Sequence, residues 1–241
     1  MGLMSSLDGR VIAIAGVGGG LGPLVARELA RAGATIAGTD RDQALLDSLP
    51  GELRIPVERW DGRAVDLLDE DAVEGWCAAL VERFGRVDGL IHLVGGWRGG
   101  QPLQEAPLAD WDLLHGLLIR TVQLTTRAFH GQIAASDHGR FVLVSAKQAQ
   151  QPTNSNAAYA AAKAAAEAWT LAYADGFGAS GATANIVVVD AILTPKMREE
   201  NPGKDFPTFT PAEQLAEAIA FVCSDGAAKM NGQRLQLTMG A

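Results

Sequence analysis

At 241 residues the chain has room for one large α/β domain with a full core, or at most two small ones. Hydrophobic residues make up 48% and charged residues 20%, which excludes a disordered chain, and no apolar run approaches a membrane span. The net charge of -8, from 28 acidic against 20 basic side chains with no basic cluster along a face, argues against a nucleic-acid surface.

From the N-terminus, Met1–Ser6 lacks a charged-then-apolar signal sequence, so a reducing cytoplasm is the expected compartment. The same residues formally fit the short myristoylation pattern, which needs a eukaryotic host and is discounted. Residues 10–15 read as a buried first strand, 21–31 as a helix stopped by Gly33, and 34–39 as a second strand ending at Asp40. The third strand is 54–57 or 63–65. Residues 72–84 have helical periodicity, and 89–94 form a strand followed by glycines. A long helix is expected over 111–135, a strand over 141–145 and another long helix over 156–176. Residues 183–189 are again a strand, 211–224 a helix and 234–237 a last short strand. Val/Ile-rich segments alternating with helices predict an α/β chain with one doubly wound parallel sheet flanked by helices.

Two segments of this pattern carry chemistry. The first is the strand-to-helix turn Gly16-Val17-Gly18-Gly19-Gly20-Leu21-Gly22. Gly16, Gly20 and Gly22 permit the sharp turn and a close backbone approach, and helix-terminal N–H groups suit a dinucleotide pyrophosphate. Asp40, ending the next strand, can accept hydrogen bonds from adenine-ribose hydroxyls and would repel a 2′-phosphate, which favours NAD(H) over NADP(H). Arg41 pulls the other way, because it can pair with that phosphate. A carboxylate that only caps the next helix is the plainer alternative for Asp40.

The second is Ala157-Ala158-Tyr159-Ala160-Ala161-Ala162-Lys163. Its alanines predict a helix, on which residues four apart share a face. An ammonium beside a phenol favours the phenolate, so Lys163 is expected to draw the Tyr159 pKa down from about 10. Together the two segments predict hydride transfer with a tyrosine proton donor.

This spacing resembles the short-chain dehydrogenase/reductase family over essentially the whole chain. The resemblance implies one Rossmann-like domain over 1–241, with Asp66 touching adenine, Gly95 in the cofactor site, Thr194 touching the nicotinamide carboxamide, and Lys163 holding the nicotinamide ribose. Asn185 and the run Asn231-Gly232-Gln233 also match. Family members commonly pair through the middle and tyrosine helices, which implies a homodimer or homotetramer.

The departures narrow the resemblance. Ala146 stands where the family usually has serine, and Ser145, one residue short, should face the other way. The expected asparagine of the middle helix is Leu118, an Asn-Asn-Ala-Gly turn reads His92-Leu93-Val94-Gly95, and a Pro-Gly reads Val189-Asp190. One branch, the quinonoid dihydropteridine reductases, resembles this pattern. It keeps only the tyrosine and lysine, uses NADH, and carries a segment like Gly95-Gly96-Trp97-Arg98-Gly99-Gly100, a pair like Ala146-Lys147, and a stretch like Leu193-Thr194-Pro195 through Asp205-Phe206, Thr208 and Thr210-Pro211. That likeness implies a conjugated, quinonoid small-molecule substrate. A general alcohol/carbonyl dehydrogenase and a weakly catalytic dinucleotide-binding protein remain the alternatives.

Trp97 either stacks on a flat substrate or closes its loop onto the core. Lys147 and Arg98 are anion ligands or surface charges, and Asp190 is a carboxamide ligand or a loop acid. No metal is expected. His92, His115, His130 and His138 lack metal spacing, and Cys77 and Cys223 sit in apolar helical patterns as buried thiols. His92 follows a buried strand and either faces the cofactor pocket or, the better-supported reading, is a core histidine with a backbone partner. Leu113, Leu117 and Leu124 with Trp111 are expected to form a core or subunit-interface stripe.

Overall fold

A computed structural model describes residues 6–238, so most of the N-terminal acylation pattern lies outside the described residues. In chain order the structure runs β1 (Val11–Ala15), α1 (Gly22–Arg31), β2 (Thr35–Asp40), α2 (Gln43–Leu53), β3 (Trp60–Ala64), α3 (Glu70–Phe84) and β4 (Gly89–His92). It continues with α4 (Leu108–His115), α5 (Thr121–Ala135), β5 (Arg140–Ala146), α6 (Ala157–Asp175), β6 (Thr183–Val189) and β7 (Ala191–Leu193). The last elements are α7 (Pro195–Glu200), β8 (Phe209–Pro211), α8 (Ala212–Cys223) and β9 (Arg234–Gln236).

Seven strands form one parallel sheet in the order β3-β2-β1-β4-β5-β6-β9. Every residue of β1, β4, β5 and β6 is buried, as strands covered on both faces must be. Alternation sends Ile12, Ile14, Val142 and Val187 to the face packed by α1, α2 and α8. Ala13, Leu90, Phe141 and Val188 go to the face packed by α3, α5 and α6. The strand order reverses between β1 and β4, which opens a crevice at the carboxyl ends of those strands.

Four expectations need correction. The third strand is Trp60–Ala64, which overlaps the second expected segment at Arg63 and Ala64 but starts three residues earlier. Arg54 instead ends α2 in the left-handed region at φ 57°, and Val57–Arg59 is a 3-10 turn. Helix α2, which the sequence reading lacked, starts on an Asp42 cap that accepts from the Leu45 amide at 3.2 Å. The helix expected over 111–135 begins at Leu108 and is interrupted by a π-turn at Gly116–Arg120. The segment after β6 adds a small β7–β8 pair beside the main sheet.

Candidate active site

A cleft of about 930 Å³ opens at the carboxyl edge of the sheet. Gly16, Gly20, Leu21, Gly22, Asp40, Arg41, Asp66, Gly95, Trp97, Ala146, Tyr159, Lys163, Asp190 and Thr194 all line it. Lys147, Arg98 and His92, also considered for the site, are not among its lining residues.

The glycine turn is tight for reasons that can be measured. Gly16 has φ 83°, and a Cβ there would lie 3.0 Å from the Val94 amide nitrogen. A Cβ on Gly22 would lie 2.1 Å from the Val17 carbonyl oxygen, and one on Gly20 would lie 2.9 Å from the Thr194 methyl. Gly18, a functional glycine not singled out by the sequence pattern, donates its amide to Asp40 Oδ2 at 3.2 Å. The Arg41 amide donates to Asp40 Oδ1 at 2.7 Å, so the carboxylate is aimed by backbone groups on both sides. The Arg41 side chain is exposed. A backbone cradle with glycine at 16, 18, 19, 20 and 22, ending at an oriented carboxylate, fits the pyrophosphate and ribose of a dinucleotide. Asp66 is exposed and turns its Oδ1 onto the Leu68 amide at 2.9 Å.

Tyr159 and Lys163 both come from α6, one turn apart. Lys163 is buried and donates Nζ to the Val144 carbonyl at 2.9 Å. Tyr159 packs against Leu114, Leu118, Ile119 and Ala162. The expected lowering of the phenol pKa is not found: burial pushes Tyr159 up, to about 12. Lys163 is drawn down to about 8 by burial, against which the nearby charge of Glu167 acts.

Ala146 presents only a methyl group. Ser145 is no substitute donor, because its hydroxyl donates to the buried Glu167 at 2.6 Å. Leu118 lies in the π-turn, 2% exposed. The Trp97 indole is 57% exposed, so it does not close its loop onto the core. Its loop docks through the Gly100 amide on the Ser155 carbonyl at 2.8 Å. A Cβ on Gly99 would lie 2.9 Å from that same oxygen and 3.1 Å from the indole, so the loop requires glycine there.

Lys147 sits on the turn after β5 with Nζ 3.8 Å from Asp190 Oδ1, pairing at the rim instead of entering the cleft. Arg98 lies 3.8 Å from Asp110. Thr194 accepts from the Met197 amide at 3.3 Å and caps α7. Asn185 is structural: it donates to the Met230 carbonyl at 2.6 Å and accepts from the Gln233 amide at 3.0 Å, fastening β6 to the C-terminal segment. His92 does not line the cleft; it is buried, and neither ring nitrogen has a protein partner. Burial pulls its pKa down to about 3. The leucine stripe is split: Leu113 is exposed, Leu117 enters the cleft and Leu124 is buried, because the π-turn shifts the helical register. Phe209 and Met197 also line the cleft, from the β7–β8 excursion. Cys77 and Cys223 are buried free thiols that burial pushes up, to about 11 and about 12. Among the described residues no cluster of His, Cys, Asp or Glu is suited to a metal, and no helix is long and apolar enough to cross a membrane.

Residues 16–241 match the family model described as Enoyl-(Acyl carrier protein) reductase. The hydroxy(phenyl)methylsuccinyl-CoA dehydrogenase subunit BbsD of Thauera aromatica is 30% identical, over 97% of each chain. The chain belongs to the short-chain dehydrogenase/reductase family. It is also 26% identical to the 3-oxoacyl-(acyl-carrier-protein) reductase FabG of Thermotoga maritima, over 97% of this chain and 98% of that one. Among solved structures, a 3-ketoacyl-(acyl-carrier-protein) reductase from Brucella melitensis complexed with NADH superposes with a TM-score of 0.84 at 27% identity, covering 98% and 99% of the two chains. This member of the short-chain family is an NAD(P)-dependent oxidoreductase with a Rossmann-like sheet.

Proposed function

We propose that this short-chain enzyme reduces a conjugated imine or quinonoid heterocycle, of which a dihydropteridine is the model, using NADH and Tyr159 as proton donor. The carrying observation is the surroundings of the phenol: Tyr159 packs against Leu118 and shares the cleft with the bare methyl of Ala146, with the Trp97 indole exposed on the same cleft. Reducing a ketone concentrates charge on one oxygen, and loss of one donor there costs about 10²–10³ in rate. A conjugated acceptor spreads that charge over a ring and mainly needs a proton.

Tyr159, held neutral by burial, keeps that proton available across the physiological range. Lys163 adds positive charge beside it and holds the nicotinamide ribose. When bound, the nicotinamide supplies the hydride. Asp40 supports NAD(H) over NADP(H), and Gly95, Asp66 and Thr194 complete the cofactor contacts. Trp97 stacks on a flat substrate, with Asp190 and Lys147 as a charged pair at the rim. On this reading residues 1–241 act as one domain in the cytoplasm, as a homodimer or homotetramer whose mass light scattering would report.

A second reading, an alcohol/carbonyl dehydrogenase, is favoured by the names of relatives that act on hydroxyacyl and oxoacyl groups. The deciding measurement is NADH oxidation with quinonoid dimethyldihydropterin beside a ketone panel. Pterin turnover that falls at least ~10²-fold in Tyr159→Phe, with unchanged NADH affinity, is expected. Ketone turnover alone, accelerated by Ala146→Ser, transfers the case to the second reading. Tight NADH binding with no turnover of either class leaves a binding role.

A further inference from the structure

We propose that Glu167 is a positioning residue for Lys163: its buried carboxylate, one helical turn further along α6, keeps the Lys163 ammonium charged. Residues 159, 163 and 167 follow at spacings of four, so all three share one helical face. Lys163 is 7% exposed and Glu167 2%. An amine so buried is driven towards its neutral form, and a neutral lysine can neither assist a phenol electrostatically nor bind a ribose as a cation. A fixed negative charge beneath it opposes that drift.

Glu167 is fixed by the sheet as well as by its helix. It accepts from Ser145 Oγ at 2.6 Å on β5, from Arg234 Nε at 2.6 Å on β9, and from Gln150 Nε2 at 3.3 Å on the turn after β5. Gln236 donates to Gln150 at 3.1 Å and closes the network. Such a set of donors, one of them a guanidinium, fixes the carboxylate in place. It also gives the displaced Ser145 hydroxyl a task.

The other groups around Lys163 do not supply this charge. His92, from β4, is neutral above about pH 3. Tyr159 is neutral below about pH 12. Helix α4 and the π-turn meet α6 through Leu114, Leu118 and Ile119. Lys147 and Asp190 face one another at the rim. Arg234 offsets Glu167 in part, but its side chain is 37% exposed and water screens it.

The role of Lys163 in catalysis rests on the function proposed above; its charge state does not, and can be read directly. The whole protein, with lysine labelled by carbon-13 at Cε, is titrated by NMR and Lys163 assigned against Lys163→Arg. In Glu167→Gln the Lys163 midpoint should fall by about one pH unit, a tenfold change in its proton affinity. In Arg234→Met, with the offsetting cation gone, it should rise. An unmoved midpoint in Glu167→Gln overturns the proposal; if that variant does not fold, an unmoved or lowered midpoint in Arg234→Met does so. Full activity of Tyr159→Phe would instead sink the catalytic reading while leaving the titration result standing.

Discussion

Tyr159 and Lys163 stand one turn apart, yet burial moves them in opposite directions, the phenol up to about 12 and the amine down to about 8. Both therefore carry their protons at neutral pH. For NADH oxidation, kcat/KM should stay level below pH 8 and decline above it as Lys163 of the free enzyme loses its proton. A rate that rises through that region would contradict a charged-lysine role. His92 makes a separate prediction, about stability. Its folded pKa, about 3, lies below the ordinary 6.5, so between those values the unfolded chain binds a proton that the folded chain does not. Stability should accordingly fall as pH drops through that window. His92→Leu removes the effect and also two unpartnered ring nitrogens. Between pH 7 and 5, urea denaturation should show the wild type losing about 2 kcal/mol more than this variant.

Among the elements, the glycine turn divides into two kinds of constraint. The virtual Cβ of Gly22 strikes backbone, the Val17 carbonyl at 2.1 Å, whereas that of Gly20 strikes only the Thr194 methyl at 2.9 Å. Gly22→Ala should therefore shift α1 and cost about 3 kcal/mol of stability. On the proposed cofactor placement, Gly20→Ala should fold nearly as well, within about 1 kcal/mol, but weaken NADH at least tenfold, because its methyl would stand where the pyrophosphate approaches. Equal losses of stability in the two variants would show that both glycines only close the turn. Elements whose burial is written in their own residues were legible in the sequence: β5 and β6 as apolar runs, α6 as an alanine-rich helix. Strand β3 was legible only at its end, in Arg63 and Ala64, because Asp61-Gly62 has the composition of a turn. Asp61 is buried there only because Arg63 and Arg83 reach it at 2.8 and 2.6 Å, one of them from a distant helix. The π-turn was hidden for a different reason. It changes which carbonyl an amide meets, not which residues are apolar, and so it moved Leu117 into the cleft unannounced. The pairing of Lys147 with Asp190 was not legible, because it joins two loops that have no common period.

Across the whole molecule, the parallel sheet separates the chemistry from a second charged cluster. The cleft occupies the carboxyl edge, while Asp88 precedes β4 at the opposite edge. Its side chain is wholly buried, pairing with Arg86 and accepting from the Val11 amide at 2.9 Å and the Ser136 hydroxyl at 2.5 Å, which ties β1, β4 and the end of α5 together. Burial alone would raise the Asp88 pKa, but these bonds outweigh it and hold the carboxyl below its ordinary value. A group so lowered stabilises the fold above the unfolded pKa, about 3.9, and that stabilisation is lost as pH falls through the folded value. Asp88→Asn should therefore cost about 2–3 kcal/mol at pH 7, less than a fully buried pair because Arg86 is half in water. The difference from wild type should narrow in acid. Strands of four to seven residues put roughly 13–23 Å between the two edges, so kcat should change by no more than about twofold in the folded variant. Calorimetry and NADH oxidation on the same preparation test both halves. If kcat falls together with stability, the sheet transmits strain from Asp88 to Tyr159, and the separation of the two edges is not a functional one.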